Sequence, residues 1–150
     1  MRHLVALALF VCLGTAAPAQ SQSDIDYLSG ECADASFIAC AALGNEYEKN
    51  DRFADAAIYY GLGCDLHPSI CMFLGKLFAQ GKGVEQDDAR AFALFKRSCD
   101  DGNEIQGCAF TGWFLATGRG VEMDIETARK YLRNSCQREH ARSCEQLSKI

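Results

Sequence analysis

The sequence predicts an all-α chain built from one repeated pair of helices. Three observations carry this. Four cysteines, Cys40, Cys71, Cys108 and Cys144, recur at intervals of 31, 37 and 36 residues, and a period in the thirties marks stacked supersecondary units. Positions fixed relative to those cysteines repeat at spacings of three, four and seven, the helical set. Runs of strand-like alternation are missing, and beyond the first 19 residues Pro68 is the single proline.

The chain opens on a targeting pattern. Arg2 and His3 form a basic start, Leu4 to Leu13 is an uncharged apolar run, and Ala17-Pro18-Ala19 matches a small-x-small cleavage site. Residues 1–19 are expected to be a signal peptide. The apolar run is well short of the ~20 residues of a spanning helix, so no stable membrane anchor is expected. Val11 before Cys12 does not fit a lipid-attachment site, which places Cys12 in the discarded segment. Residues 20–150 then carry 14 basic against 20 acidic residues and eight cysteines. That acidic balance argues against nucleic acid and anionic membranes, which need clustered positive charge. A cysteine-rich chain behind a targeting signal points to the periplasm or the exterior.

The first helix of the repeat is read outward from the aligned cysteines. Four residues on stand Gly44, Gly75, Gly112 and Ser148; one before them stand Leu43, Leu74, Thr111 and Leu147; seven after the cysteine come Tyr47, Phe78 and Leu115. A small residue recurring at one helical position predicts close approach by another helix. The second helix is read backward from Cys64, Cys99 and Cys136. Ala56, Ala91 and Ala128 lie eight before, and Tyr59-Tyr60, Leu94-Phe95 and Tyr131-Leu132 five and four before. Tyr27-Leu28 echo this ahead of Cys32, so a short second-type helix opens the domain. About seven helices are expected.

The connections repeat as well. Gly81-Lys82-Gly83-Val84-Glu85-Gln86-Asp87 matches Gly118-Arg119-Gly120-Val121-Glu122-Met123-Asp124 at five positions. The first glycine suits a left-handed helix end, the Val an inter-helix contact and the Asp an N-cap. No strand precedes the glycines and the phosphate-loop spacing is absent. The earliest unit is shorter and turns at Asn50-Asp51.

The Leu74-Gly75, Gly81-x-Gly83-Val84, Asp87, Ala91 and Phe95 pattern resembles a Sel1-like repeat, a relative of the tetratricopeptide repeat. The flanking Cys pairs are similar to those of secreted, cysteine-rich bacterial Sel1-repeat proteins, the β-lactamase-like Hcp type, some of which are described as penicillin-binding. The likeness covers about residues 24–150, with repeats at about 36–66, 67–102 and 104–139 and a partial one at 140–150. It implies an α/α solenoid of helix-turn-helix repeats stapled by disulfides. Each bridge would tie the end of one repeat's second helix to the start of the next repeat's first. Eight cysteines allow 105 connectivities. Repeat symmetry selects the nearest-neighbour set, Cys32–Cys40, Cys64–Cys71, Cys99–Cys108 and Cys136–Cys144. Closing a loop of about eight residues removes roughly 2.5 kcal/mol of unfolded-state entropy per bridge.

Rival chemistries find little support. With His67 and His140 as the histidines of residues 20–150 and no short C-x2-4-C spacing, zinc is disfavoured, and no C-x-x-C redox motif is present. S-x-x-K, S-D-N, K-T-G, H-E-x-x-H and G-x-S-x-G are all absent. No catalytic residue, cofactor or metal is assigned. His67 and His140 are expected as solvated turn residues, Asp87-Asp88 as a helix start and Asp100-Asp101 as a polar turn.

One first-helix face, at offsets one, five and eight from each cysteine, lies beside the Leu/Gly stripe. It holds Ala41, Asn45 and Glu48; Met72, Lys76 and Ala79; Ala109, Trp113 and Ala116. By resemblance to tetratricopeptide arrays it lines a concave groove. Asn45, Lys76, Trp113, Met72 and Glu48 are the candidate binding residues, with Trp113 equally readable as a core plug near Phe110 and Phe114. The expected function is a monomeric interaction module holding a peptide or protein. A β-lactam-binding or hydrolysing cell-wall protein is the alternative, on resemblance alone.

Overall fold

In a computed structural model, residues 22–150 are described and fold into eight α-helices with no strand among them. They are α1 (Gln22–Ala33), α2 (Phe37–Lys49), α3 (Phe53–Leu66), α4 (Cys71–Gln80), α5 (Asp88–Asp100), α6 (Ile105–Thr117), α7 (Ile125–Gln137) and α8 (Ala141–Leu147), with a 3-10 turn at Pro68–Ile70. The signal-peptide expectation and Cys12 lie outside the described residues. The helix count exceeds the expected seven.

The recurrent small residue has the expected cause. A Cβ on Gly44 would sit 2.4 Å from the Tyr60 ring, one on Gly75 2.9 Å from Phe95, and one on Gly112 2.7 Å from Leu132. Tyr60, Phe95 and Leu132 occupy the same place on α3, α5 and α7 and are at most 1% exposed. Each first helix therefore seats its own second helix in a glycine notch. Ala56, Ala91 and Ala128, one turn earlier, are completely buried. The aromatic core runs on from repeat to repeat: Tyr60 stacks on Phe73 at 5.1 Å, and Phe95 on Phe110 at 4.6 Å.

The glycine loops do three jobs. Gly81 and Gly118 end α4 and α6 in the left-handed region at φ 64° and 67°. Asp87 and Asp124 cap α5 and α7 by accepting from Arg90 N at 2.8 Å and Thr127 N at 3.0 Å. The residue between the glycines reaches back one repeat: Lys82 lies over Phe53, while Arg119 pairs with Asp88 at 2.7 Å and lies over Trp113 and Phe114. The α2–α3 turn has no such loop; Asp51 takes φ 57° and Arg52 bonds Asp55 at 2.8 Å.

All four nearest-neighbour disulfides are present, with Cα–Cα distances of 4.5–4.8 Å. Each joins a second helix to the next first helix. Cys32–Cys40 and Cys64–Cys71 are buried, Cys99–Cys108 is half covered, and both cysteines of Cys136–Cys144 are partly exposed.

Candidate functional site

The structure does not gather the five candidate groove residues into one site. Met72 is 2% exposed and packs in the main core cluster, so it is corrected from a groove residue to a core residue. As a long apolar side chain on a helix flanked by repeats on both sides, it is drawn inward by the burial that drives the fold. Glu48 is also reassigned. It accepts a hydrogen bond from the Tyr60 hydroxyl at 2.8 Å, which satisfies that buried phenol. Burial, then Glu48, pushes the Tyr60 phenol far above its usual range. Asn45 is exposed and lines a small crevice between α1 and α2 with Ile25, Leu28 and Ala42. Lys76 is half-buried, its ammonium 6.0 Å from the Phe73 ring.

Trp113 is different. It is half-buried, packed edge-on against Phe114 at 5.2 Å, with the Arg119 guanidinium 5.4 Å from its ring centre. It forms a wall of a pocket of about 450 Å³ between α6 and α8. Gln106, Ala109, Phe110 and Trp113 supply the α6 side; His140, Arg142 and Gln146 supply the α8 side. The floor is aromatic, and the rim carries two amides, an imidazole and a guanidinium. No carboxylate lines it. Its size is that of a small-ligand or side-chain pocket. Trp113 is thus both the edge of the core and a surface of the pocket, which dissolves the alternative drawn from sequence.

The α8 contributors and Phe110 were missed in sequence. Gln106, Phe110 and Trp113 share a helix face at i, i+4 and i+7, a signal that was available. Arg142 and Gln146 are likewise i and i+4, but only the packing of α8 on α6 brings the two faces together.

His140 is held, not merely solvated. Its Nδ1 lies 2.8 Å from Ser143 Oγ, and Ser143 Oγ lies 2.8 Å from Ser135 Oγ, which donates to the Ile105 carbonyl at 3.3 Å. Both hydroxyls are 0% exposed. His67, at the equivalent turn, is corrected as well. Its ring stacks on Phe37 at 4.5 Å, and its Nδ1 accepts from Ser69 N while lying 2.8 Å from Ser69 Oγ.

Asp100 is more than a polar turn. It pairs with Lys96 and accepts from the Tyr131 hydroxyl at 2.9 Å, at the edge of a polar crevice beside Cys99–Cys108. Burial, then Asp100, raises the Tyr131 phenol, and the Asp100 hydrogen bond raises the Lys96 ammonium. Among the described residues no group of three or more His, Cys, Asp or Glu could hold a metal, and no helix is long and apolar enough to cross a membrane.

Residues 69–103 and 105–140 each match the family model described as the Sel1 repeat. No curated protein matches the chain. Its fold is similar to that of a protective antigen present in uropathogenic Escherichia coli strains and displaying an SLR fold, with TM-score 0.78 and 18% identity. That likeness covers 84% of this chain and 28% of the antigen, so the chain spans well under two thirds of it. A Sel1 repeat protein from Oxalobacter formigenes is similar at TM-score 0.75 and 18% identity, over 85% of this chain and 98% of that one. Helicobacter pylori cysteine rich protein B is similar at TM-score 0.65 and 24% identity, over 82% and 91%.

Proposed function

We propose that this chain, which carries Sel1 repeats in a disulfide-stapled solenoid, is a periplasmic or secreted interaction module that holds a peptide or protein at the α6–α8 pocket. Sel1 repeats are protein-interaction modules. The observation that carries the reading here is Trp113, an aromatic anchor left half-open beside a rim of polar groups. Rigid aromatic surfaces of this kind dominate interface energies. The eight paired cysteines fit an oxidising compartment, and residues 1–19 fit the signal that would deliver the chain there.

A hydrolase reading finds no reachable nucleophile in this pocket. Ser135 and Ser143 stand in line with His140, but neither hydroxyl is exposed to a substrate. Nitrocefin turnover by stringently purified protein, proportional to protein concentration, would reinstate it.

The test of the interaction reading is capture of a partner from envelope extract by the wild type and by Trp113→Ala. The expected result is loss of capture by a variant that keeps its helical circular dichroism. Equal capture by both proteins would remove the pocket from the binding surface.

A further inference from the structure

The proton order along the His140 chain can be counted. The Ile105 carbonyl only accepts, and giving it the single proton of Ser135 is the one arrangement in which all three contacts of the chain are hydrogen bonds. Ser135 Oγ must then accept from Ser143, which spends the single proton of Ser143. Ser143 Oγ therefore accepts from His140, and His140 Nδ1 carries a hydrogen. In the neutral ring this leaves Nε2 as a bare lone pair. A carboxylate approaching that nitrogen meets repulsion; one approaching the protonated ring meets an N–H.

The surroundings attract a carboxylate. Arg142 stands on the same rim and is hydrogen-bonded to no group among the described residues, though its charge helps to lower the neighbouring Glu145 carboxyl. α6 carries no charged side chain along its length. In the turn before α8, Arg138 is held on Asn103 at 2.9 Å and Glu139 is exposed. Glu104 is occupied capping Gln106 N, and on α8 Glu145 pairs with Lys149 at 2.6 Å. On α7, Arg129 is tied to Glu126 and the Ile150 carbonyl, and Lys130 lines the separate crevice beside Tyr131. In a chain of net charge −5, this pocket is a cationic, aromatic-floored exception.

Resting on the interaction reading above, we infer that the α6–α8 pocket receives a carboxylate next to an apolar group of the peptide partner, and that His140 takes up a proton as it binds. The apolar group stacks on Phe110 and Trp113. The carboxylate meets Arg142 and the imidazolium Nε2–H. A peptide C-terminus and an internal acidic side chain share this chemistry.

Trp113 is the one tryptophan of the chain, so its fluorescence reports on this pocket and on the adjoining crevice that it lines with Ala116 and Lys149. The oxidised protein is titrated with acetyl-Gly-Phe as the free acid, with its amide, and with acetyl-Glu-Phe-amide. At least one carboxylate form should bind about tenfold or more tighter than acetyl-Gly-Phe-amide, as expected for a charge-assisted contact. Which carboxylate form binds identifies the source. Over the pH range in which the free ring is neutral, the affinity should climb by about tenfold per unit as pH falls, the signature of one proton taken up. His140→Asn keeps a donor near Ser143 and removes the titrating nitrogen, so it should flatten that slope. Arg142→Gln should weaken binding and leave the slope. If acid and amide bind alike through Trp113, or if the slope survives in His140→Asn, this inference falls and the interaction reading stands. If no peptide perturbs Trp113 and Trp113→Ala still captures partner, both fall.

Discussion

The α3–α4 and α7–α8 junctions are the same element of the repeat, used in opposite ways. At α3–α4 the facing pair is Gly63 and Ile70; a Cβ on the glycine would sit 2.9 Å from the isoleucine. At α7–α8 the same two places hold Ser135 and Ser143, hydrogen-bonded through their hydroxyls. α5 closes over the first junction: Ser98 donates to the Ser69 carbonyl, Arg97 reaches Cys64 Sγ, and Gly102 lies against the Ser69 backbone. Among the described residues no helix covers the α7–α8 junction in this way, and the pocket lies beside it. The lesson is that a repeat position is structural where the next repeat covers it and available for binding where it does not.

The largest effects should separate the two bridges. Replacing Cys64 and Cys71 together by alanine should cost about 2–5 kcal/mol, the usual loss for a native bridge. Replacing Cys136 and Cys144 should cost clearly less, because α8 is a seven-residue helix that buries little besides Ser143. Partial reduction followed by peptide mapping should find Cys136–Cys144 opened first, since it is the most exposed pair. A first opening at Cys64–Cys71 would break the comparison.

Next comes the glycine notch, which is common to both regions and should not separate them. Gly75→Ala and Gly112→Ala force Phe95 and Leu132 from buried positions, so each should lower stability by about 1–3 kcal/mol as overpacking does. Thermal unfolding reads both. A large gap between them would show that the repeats are not packed alike.

Much of this fold was legible because a repeat reports each contact several times. The notch at Gly44, Gly75 and Gly112, the caps at Asp87 and Asp124 and the four bridges all follow from aligned positions. What stayed hidden depends on where a residue sits along the stack. Met72 and Trp113 belong to one predicted face, yet Met72 is enclosed in the core cluster while Trp113 borders the α6–α8 pocket. Glu48 looked free until Tyr60, twelve residues on, was seen to need an acceptor. His67 and His140 aligned perfectly and still differ, because one neighbour is Ile70 and the other Ser143.

A smaller effect concerns the seam between the two regions. Asp88 is held below the usual carboxylate range, chiefly by the hydrogen bond from Arg119, whose loop joins α6 to α7. Its folded pKa is depressed, so its contribution is complete above the unfolded carboxylate range and is lost as pH falls through the folded value. Asp88→Asn should therefore cost about 0.5–1 kcal/mol near neutral pH, with the difference from wild type disappearing in strong acid. Urea unfolding at neutral and acidic pH measures it. A difference that persists at low pH would assign the effect to packing instead.

The central claim is that equivalent junctions have diverged, one closed and one prepared for a ligand. Nitrogen-15 NMR of His67 and His140, recorded with the pH raised until neither ring signal moves further, tests it most directly. His67 accepts at Nδ1 from Ser69 N and must carry its hydrogen on Nε2; in the proton order inferred above, His140 donates at Nδ1 to Ser143 and leaves Nε2 bare. The account predicts opposite tautomers in the two rings. The same tautomer in both would contradict it.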